Sequence, residues 1–464
     1  MQAAVWEASN GDTLLFPGST FVFSGEVVVE SGKSLGLRGA GLSESGQPLT
    51  VLEKSEACRF FCFEGNGGGG SGIRSIAFDG KELPVDGYGG AIYCDSNFSG
   101  GVQNSSFAGN RVNYDGGAIF CWDDFIGDIQ SSSFAGNRSG NDGGAIRCGN
   151  NFIGDIQSSS FAGNGANYLG GAIYCNGNFT GYILGSSFAD NRSDWNGGAI
   201  NCNGNFTGAV QSSSFADNWA DRYGGAILYW GSCTGKDDAF ADLGGSRFLR
   251  NGAGILGGAV YCYEDAKLAA LSGDVVFQGN WHGAGEPNGL HFANYDDART
   301  IALAAAAGRT FHSYDPISGN TYYDDEFSGF YPHLTVQINP ESGHTGTVLF
   351  DRHRSDIWFE GADGATVSHG TMVLQNGASF GAGASNFLSA LIDSGQDIYD
   401  VNDELLESIP ANGGPFRLCE SATLLIAYGQ PIDVYSFHES TFQVESYTQA
   451  VPYDPASMRS EINA

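Results

Sequence analysis

Residues 170–191 read Gly170-Gly171-Ala172-Ile173-Tyr174-Cys175-Asn176-Gly177-Asn178-Phe179-Thr180-Gly181-Tyr182-Ile183-Leu184-Gly185-Ser186-Ser187-Phe188-Ala189-Asp190-Asn191, and this stretch returns along the chain with small changes. Its Gly-Gly pairs begin at Gly89, Gly116, Gly143, Gly170, Gly197 and Gly224, in steps of 27 residues. Phe-x-x-Asn keeps the same interval at Phe107, Phe134, Phe161, Phe188 and Phe215. Two separate motifs on one period mark a repeating structural unit, and a unit this short cannot bury an apolar face alone. It has to stack on its neighbours. Each apolar piece is three to six residues long, β-favouring, and bounded by Gly, Asn or Asp, with no 3.6-residue period. A leucine ladder and the Ala, Leu, Glu and Lys runs of helical repeats are both missing. The expected fold is all-β: a right-handed parallel β-helix, a single-stranded solenoid with 27-residue coils.

Alternation within the first strand of each unit supports this. Ile92, Ile119, Ile146 and Ile173 hold one position, and Cys94, Cys121, Cys148 and Cys175 hold another two residues on. The residue between varies through Tyr93, Phe120, Arg147, Tyr174 and Asn201. Period two then puts Ile and Cys inside and the variable residue outside, exposed. Phe107, Phe134, Phe161 and Phe188, with a second column from Phe98 to Phe206, give the interior its bulk. Asn110, Asn137, Asn164 and Asn191 are expected at a corner, where an amide donates to one coil and accepts from the next. The Gly-Gly pairs relieve crowding or supply positive φ at another corner. On this reading Gly171→Val costs more than a change at exposed Tyr174.

Ten cysteines in 464 residues are too few for a disulfide scaffold. A column of thiols facing one way does not converge as metal ligands do. Packing as small hydrophobes is the favoured reading, and disulfides between coils are the alternative, with Cys58 and Cys62 able to pair locally.

The chain divides into an N-terminal cap with the first irregular coils (1–72), the regular β-helix (73–299), a degenerate continuation (300–390) and an irregular C-terminal section (391–464). The continuation is read from Thr335–Ile338, Thr347–Phe350, Ile357-Trp358-Phe359 and Thr371–Leu374. Asp265–Leu271 and the alanines near Ala304 are candidates for short helix. No signal peptide is visible, and no apolar run approaches 18 residues, so no helical membrane span is expected.

Aspartate and glutamate total 52 against 21 lysine and arginine, a net charge of −31, which argues against nucleic acid and anionic membrane as partners. Asp128 and Asp155 hold equivalent positions on adjacent coils, and stacked like charges repel unless a cation intervenes. Calcium is the cation such a column would take, beside a plainer reading as screened surface charge. No other cofactor is expected. Asp190 and Asp217, and Asp194 and Asp221, pair in the same way, with Arg192 placed to answer them. No catalytic residue is assigned, because the carboxylates are scattered and no nucleophile or metal motif occurs. A carbohydrate-active β-helix, polysaccharide-cleaving or glycan-binding, is the alternative to a non-enzymatic extracellular or cell-surface β-helix acting in adhesion or surface structure. Tyr114, Tyr168 and Trp195 share one turn position, with Trp219 and Tyr223 nearby. These five are the candidate ligand-binding residues, since rigid aromatics hold glycan or protein at low entropic cost.

Gly-Gly-Ala-Ile alternating with Phe-x-x-Asn resembles the chlamydial polymorphic outer membrane protein family, a class of autotransporter passengers. Phe311-His312-Ser313-Tyr314-Asp315-Pro316-Ile317 and Gly370-Thr371-Met372-Val373-Leu374 are similar to that family's middle region, so the likeness runs over about residues 70 to 380. The resemblance implies a secreted, surface-displayed β-helix that adheres to a host or neighbouring-cell surface protein or glycan. The chain departs from the pattern in showing no carboxy-terminal outer-membrane barrel. Direct membrane insertion is therefore not expected, and the oligomeric state is left open.

Overall fold

The computed structural model describes residues 1–65, 72–293, 299–319 and 334–351, and beyond them 354–355, 365–375, 379–380, 398–399, 405–407, 416–427 and 432–436. They form a right-handed parallel β-helix of about 12 turns, with about 27 residues per turn. One coil runs through four short strands: Ile92–Cys94, Val102–Gln103, Ser106–Ala108 and Arg111–Val112. Each pairs in parallel with its equivalent in the next coil, Ile92 with Ile119, Cys94 with Cys121 and Phe107 with Phe134. Register is therefore unshifted, and every residue meets its own counterpart.

That rule builds the interior. Phe107, Phe134, Phe161, Phe188 and Phe215 stack with ring centroids 4.7–4.8 Å apart and planes within 2° of parallel. Phe98, Phe125, Phe152 and Phe179 form the second column at 4.7–4.8 Å. Ile92, Ile119, Ile146, Ile173 and the cysteines beside them are fully buried. Cys58 and Cys62 form no disulfide with each other, and Cys121, Cys148, Cys175, Cys202, Cys233 and Cys262 are buried thiols.

Corners are built from side chains that serve the adjacent coil. The backbone N–H and Nδ2 of Asn137 both donate to Oδ1 of Asn164, at 3.0 and 2.9 Å. Its Nδ2 also reaches the Phe107 carbonyl at 3.0 Å. Asn110, Asn164 and Asn191 repeat the arrangement. A serine ladder, Ser105 to Ser213, runs beside the second corner; Ser132 accepts from the N–H of Ser105 and donates to the Gln130 carbonyl. The Gly-Gly pair divides two tasks. Gly170 has φ +65°, and a Cβ on Gly171 would lie 2.0 Å from the Gly198 carbonyl oxygen. Positive φ and close backbone approach both require glycine.

The exposed end of the first coil is closed by a short helix, Gln2–Glu7, which buries Val5. Its Gln2 amide exchanges two hydrogen bonds with the backbone of Val28, at 2.8 and 2.9 Å, and so occupies an otherwise open strand edge. At the other break, Gly224 and Gly257 are 33 residues apart, and the extra residues carry a 3-10 turn at Lys236–Asp238. The helix expected over Asp265–Leu271 and near Ala304 is corrected: Ala266–Ala270 and Arg299–Ala305 are paired strands. Alanine's helix propensity is overridden here because the flanking coils offer a ladder, and Ala269 and Ala304 pack under Phe240. Leu334–Ile338 and Thr347–Asp351 continue two sheets into the single strand Ala365–Gln375, which is bent at Gly370 with φ +60°. The expected strand at 357–359, and all of 391–464 apart from its four strands, lie outside the described residues.

The ladders set unequal costs. Gly171→Val is expected to destabilise by more than about 3 kcal/mol, through backbone overlap that no rotamer relieves. Asn164→Ala is expected to cost about 3 kcal/mol, by orphaning the Asn137 donors. Tyr168→Ala should stay within about 1 kcal/mol. Urea unfolding midpoints of the three variants check the order.

Candidate ligand-binding face

The middle residues of the Ile-x-Cys strands form one outward column, Tyr93, Phe120, Arg147, Tyr174, Asn201, Leu228 and Tyr261. They point away from the coil interior, but the expectation that they are exposed is corrected. Phe120, Asn201, Leu228 and Tyr261 are fully buried, and Tyr174 is 5% exposed. Strands of three residues leave room for the turns on either side to close over them. Tyr88, from the turn before Gly-Gly, packs on Phe120 at 4.7 Å, and Trp122, from the turn after the cysteine, packs on it at 5.1 Å. Tyr223 and Tyr263 cover Tyr261 in the same way, at 4.8 and 5.0 Å. The column is thus a floor that these turns cover.

Tyr114, Tyr168 and Trp195 stand on one wall, 46%, 45% and 41% exposed. Tyr114 stacks on Tyr88 at 5.3 Å, Tyr168 leans on Trp195 at 5.4 Å, and the Arg222 guanidinium lies 4.3 Å over the Trp195 ring. The structure sets the other two candidates apart. Tyr223 turns onto the floor, half-buried. Trp219 belongs to the strand Trp219–Ala220 of another sheet, where it packs on Trp281 at 4.7 Å and donates its indole N–H to Asp221.

Arg147 occupies the middle of the floor. Its guanidinium lies 4.8 Å over Phe120, 5.7 Å from Trp122 and 6.0 Å from Tyr174. Nε and Nη1 are buried and meet no acceptor among the described residues. Cation–π contact supports the charge but leaves those donors unused. Beside it, burial and the neighbouring Asp115 carboxylate push the Asp142 carboxyl up to about 6. The groups open to a ligand on this face are the aromatic rings of Tyr114, Tyr168 and Trp195. Sequence reasoning did not single out Tyr88, Phe120 or Arg147 as site residues. The signal was there in the variable position between Ile and Cys, which carries three aromatics and one arginine in its first four copies.

Asp128 and Asp155 stack as neighbours, and each caps the next coil. Asp128 Oδ1 accepts the Asp155 N–H at 2.9 Å, and Asp155 Oδ1 accepts that of Tyr182 at 2.8 Å. Among the described residues, no three His, Cys, Asp or Glu converge as a metal site. Arg192 bridges Asp194 and Asp221, at 3.3 and 2.8 Å, and Arg250 holds Asp217.

Comparison with known proteins places the repeat. The family model for the Chlamydia polymorphic membrane protein repeat matches residues 104–121, 131–149 and 158–176, so the chain carries that repeat. A probable outer membrane protein, pmp13 of Chlamydia pneumoniae, is 30% identical over 154 residues, 28% of this chain and 15% of that protein. Another from the same organism, pmp6, is 39% identical over 66 residues, 13% of this chain and 5% of that protein. The chain thus spans a small part of the relatives it matches. No solved structure matches it.

Asp142 gives the face a pH signature. With its folded pKa near 6 against an ordinary 3.8, the folded chain keeps a proton that the unfolded chain releases. Stability should therefore fall as pH rises from about 4 to 6. Asp142→Asn keeps the acceptor for the Leu169 N–H, which Asp142 Oδ1 binds at 3.1 Å. It should flatten that slope and raise stability at neutral pH by about 2 kcal/mol. Thermal unfolding of both proteins across this range is the check.

Proposed function

We propose that this chain is a non-enzymatic, extracellular or cell-surface β-helix that adheres to a glycan or glycosylated protein on a host or neighbouring cell. The observation that carries the reading is the exposed wall of Tyr114, Tyr168 and Trp195, aromatic rings brought to one face by the repeat. Sugar rings pack on aromatic faces. The rim is held by in-register strands, so little order has to be imposed on binding. The cell-surface location is supported by the two relatives, both named as probable outer membrane proteins. With a net charge of −31, nucleic acid and direct membrane insertion stay outside the proposal. Calcium at Asp128 and Asp155 is an accessory proposal, open to the same experiment.

The test is binding of the purified chain to an array of glycans and glycoproteins, with and without calcium. Saturable binding is expected, weakened at least about tenfold by Tyr168→Ala with Trp195→Ala. An unchanged affinity in that double variant would move the site elsewhere. Shortening of an arrayed polysaccharide would replace adhesion by catalysis.

A further inference from the structure

A second surface lies on the strands Arg111–Val112, Arg138–Ser139, Gly165–Ala166 and Arg192–Ser193, which pair in register. Their first residues face outward, so arginines occupy three of four successive coils in a chain with only 21 lysines and arginines. Arg192 is answered by Asp194 and Asp221. Arg111 and Arg138 make no ion pair among the described residues, although acidic side chains outnumber basic ones by more than two to one. Like charges one coil apart, about 4.8 Å, repel unless an anion lies between them.

Gly165 interrupts the column and opens it. Arg138 Nη1 is 3.1 Å from where a Cβ on Gly165 would stand, so the guanidinium bends over the gap. The result is a groove of about 510 Å³, bordered by Arg111, Arg138 and Gly165, with Asn113 and Asn167 on its edge and the Arg192–Asp194 pair closing the end away from Arg111. Guanidinium forks match carboxylate and sulfate, and the amides can serve neighbouring hydroxyls. Net charge limits the choice. A long polyanion would extend past the screening distance, about 8 Å in physiological salt, into the repulsive field of the acidic chain. A single acidic sugar in an otherwise neutral glycan would not.

We infer that the Arg111–Arg138 groove binds an anionic sugar residue, holding its carboxylate or sulfate between the two guanidinium groups. The inference rests on the glycan reading above but uses a different surface, so separate variants read the two.

Calorimetric titration of the whole chain with sialyllactose, sulfated lactose, lactose and tetraglutamate tests it. An acidic sugar should bind about tenfold tighter than lactose, an advantage that declines with added salt. Arg111→Ala with Arg138→Ala should abolish the advantage. Gly165→Glu should do so independently, by placing a carboxylate between Arg138 and Arg192. Both leave the buried ladders untouched, and far-ultraviolet circular dichroism checks that they do. The advantage should persist in the Tyr168→Ala, Trp195→Ala variant. Preference for the carboxylated or the sulfated sugar supports the groove and decides which anion it takes. Equal binding of acidic and neutral sugars, or an advantage that survives both groove variants, overturns the inference alone. Preference for tetraglutamate over every sugar replaces the saccharide by an acidic peptide. Silence from all four probes overturns the inference, while the array binding of the aromatic wall decides the glycan reading separately.

Discussion

Unshifted stacking is the constraint on which the rest depends. Once coil lies on coil at the spacing of hydrogen-bonded strands, each side chain must be able to sit against a copy of itself. Phenylalanine can, because flat rings stack. Asparagine can, because one amide carries both a donor and an acceptor. The asparagine column also has a direction: each amide oxygen faces the preceding coil. It starts at Asn110, whose Oδ1 is buried and meets no donor among the described residues. It ends at Asp315, whose two oxygens take the N–H groups of Gly279 and Asn280 and the Asn280 amide. An acceptor-only residue suits that last position, since the amide before it presents only donors.

Outside the coil, stacking is permissive, and there chemistry diversifies. Tyr93, Phe120, Arg147, Tyr174 and Asn201 share a register with little in common but an outward direction. Charged residues survive in such columns when a neighbour answers them, as Asp194 and Asp221 answer Arg192. The aromatic wall and the arginine groove arise from the same rule. The interior fixes position to within a fraction of a strand spacing, and the exterior uses that precision.

The sequence made the fold legible because the period states directly which residues meet. Ile92 against Ile119 and Asn137 against Asn164 follow from counting in steps of 27. What lies sideways does not follow, because a period along the solenoid axis says nothing about how far a turn reaches across it. Tyr174 is buried for that reason despite its outward direction, and Trp219 differs from Trp195 in place, standing on a strand opposite Arg192 while Trp195 lies in the turn after that strand. Ala266–Ala270 misled differently: its composition favours helix, and only a waiting strand edge in the preceding coil decides against it. Of the five proposed binding residues, three share a wall. The arginine floor behind it went unnoticed because one arginine among tyrosines looked like ordinary surface variation.

Identical register also makes the coil a unit of inheritance. Excise residues 138–164, and Asn137 comes to lie against Asn191 instead of Asn164, with an equivalent partner in the same register. Duplication is equally silent. Recombination that adds or removes one whole coil can therefore lengthen or shorten this molecule while keeping its ladders in register. Its reach, and the number of outward positions it displays, can change in a single genetic step.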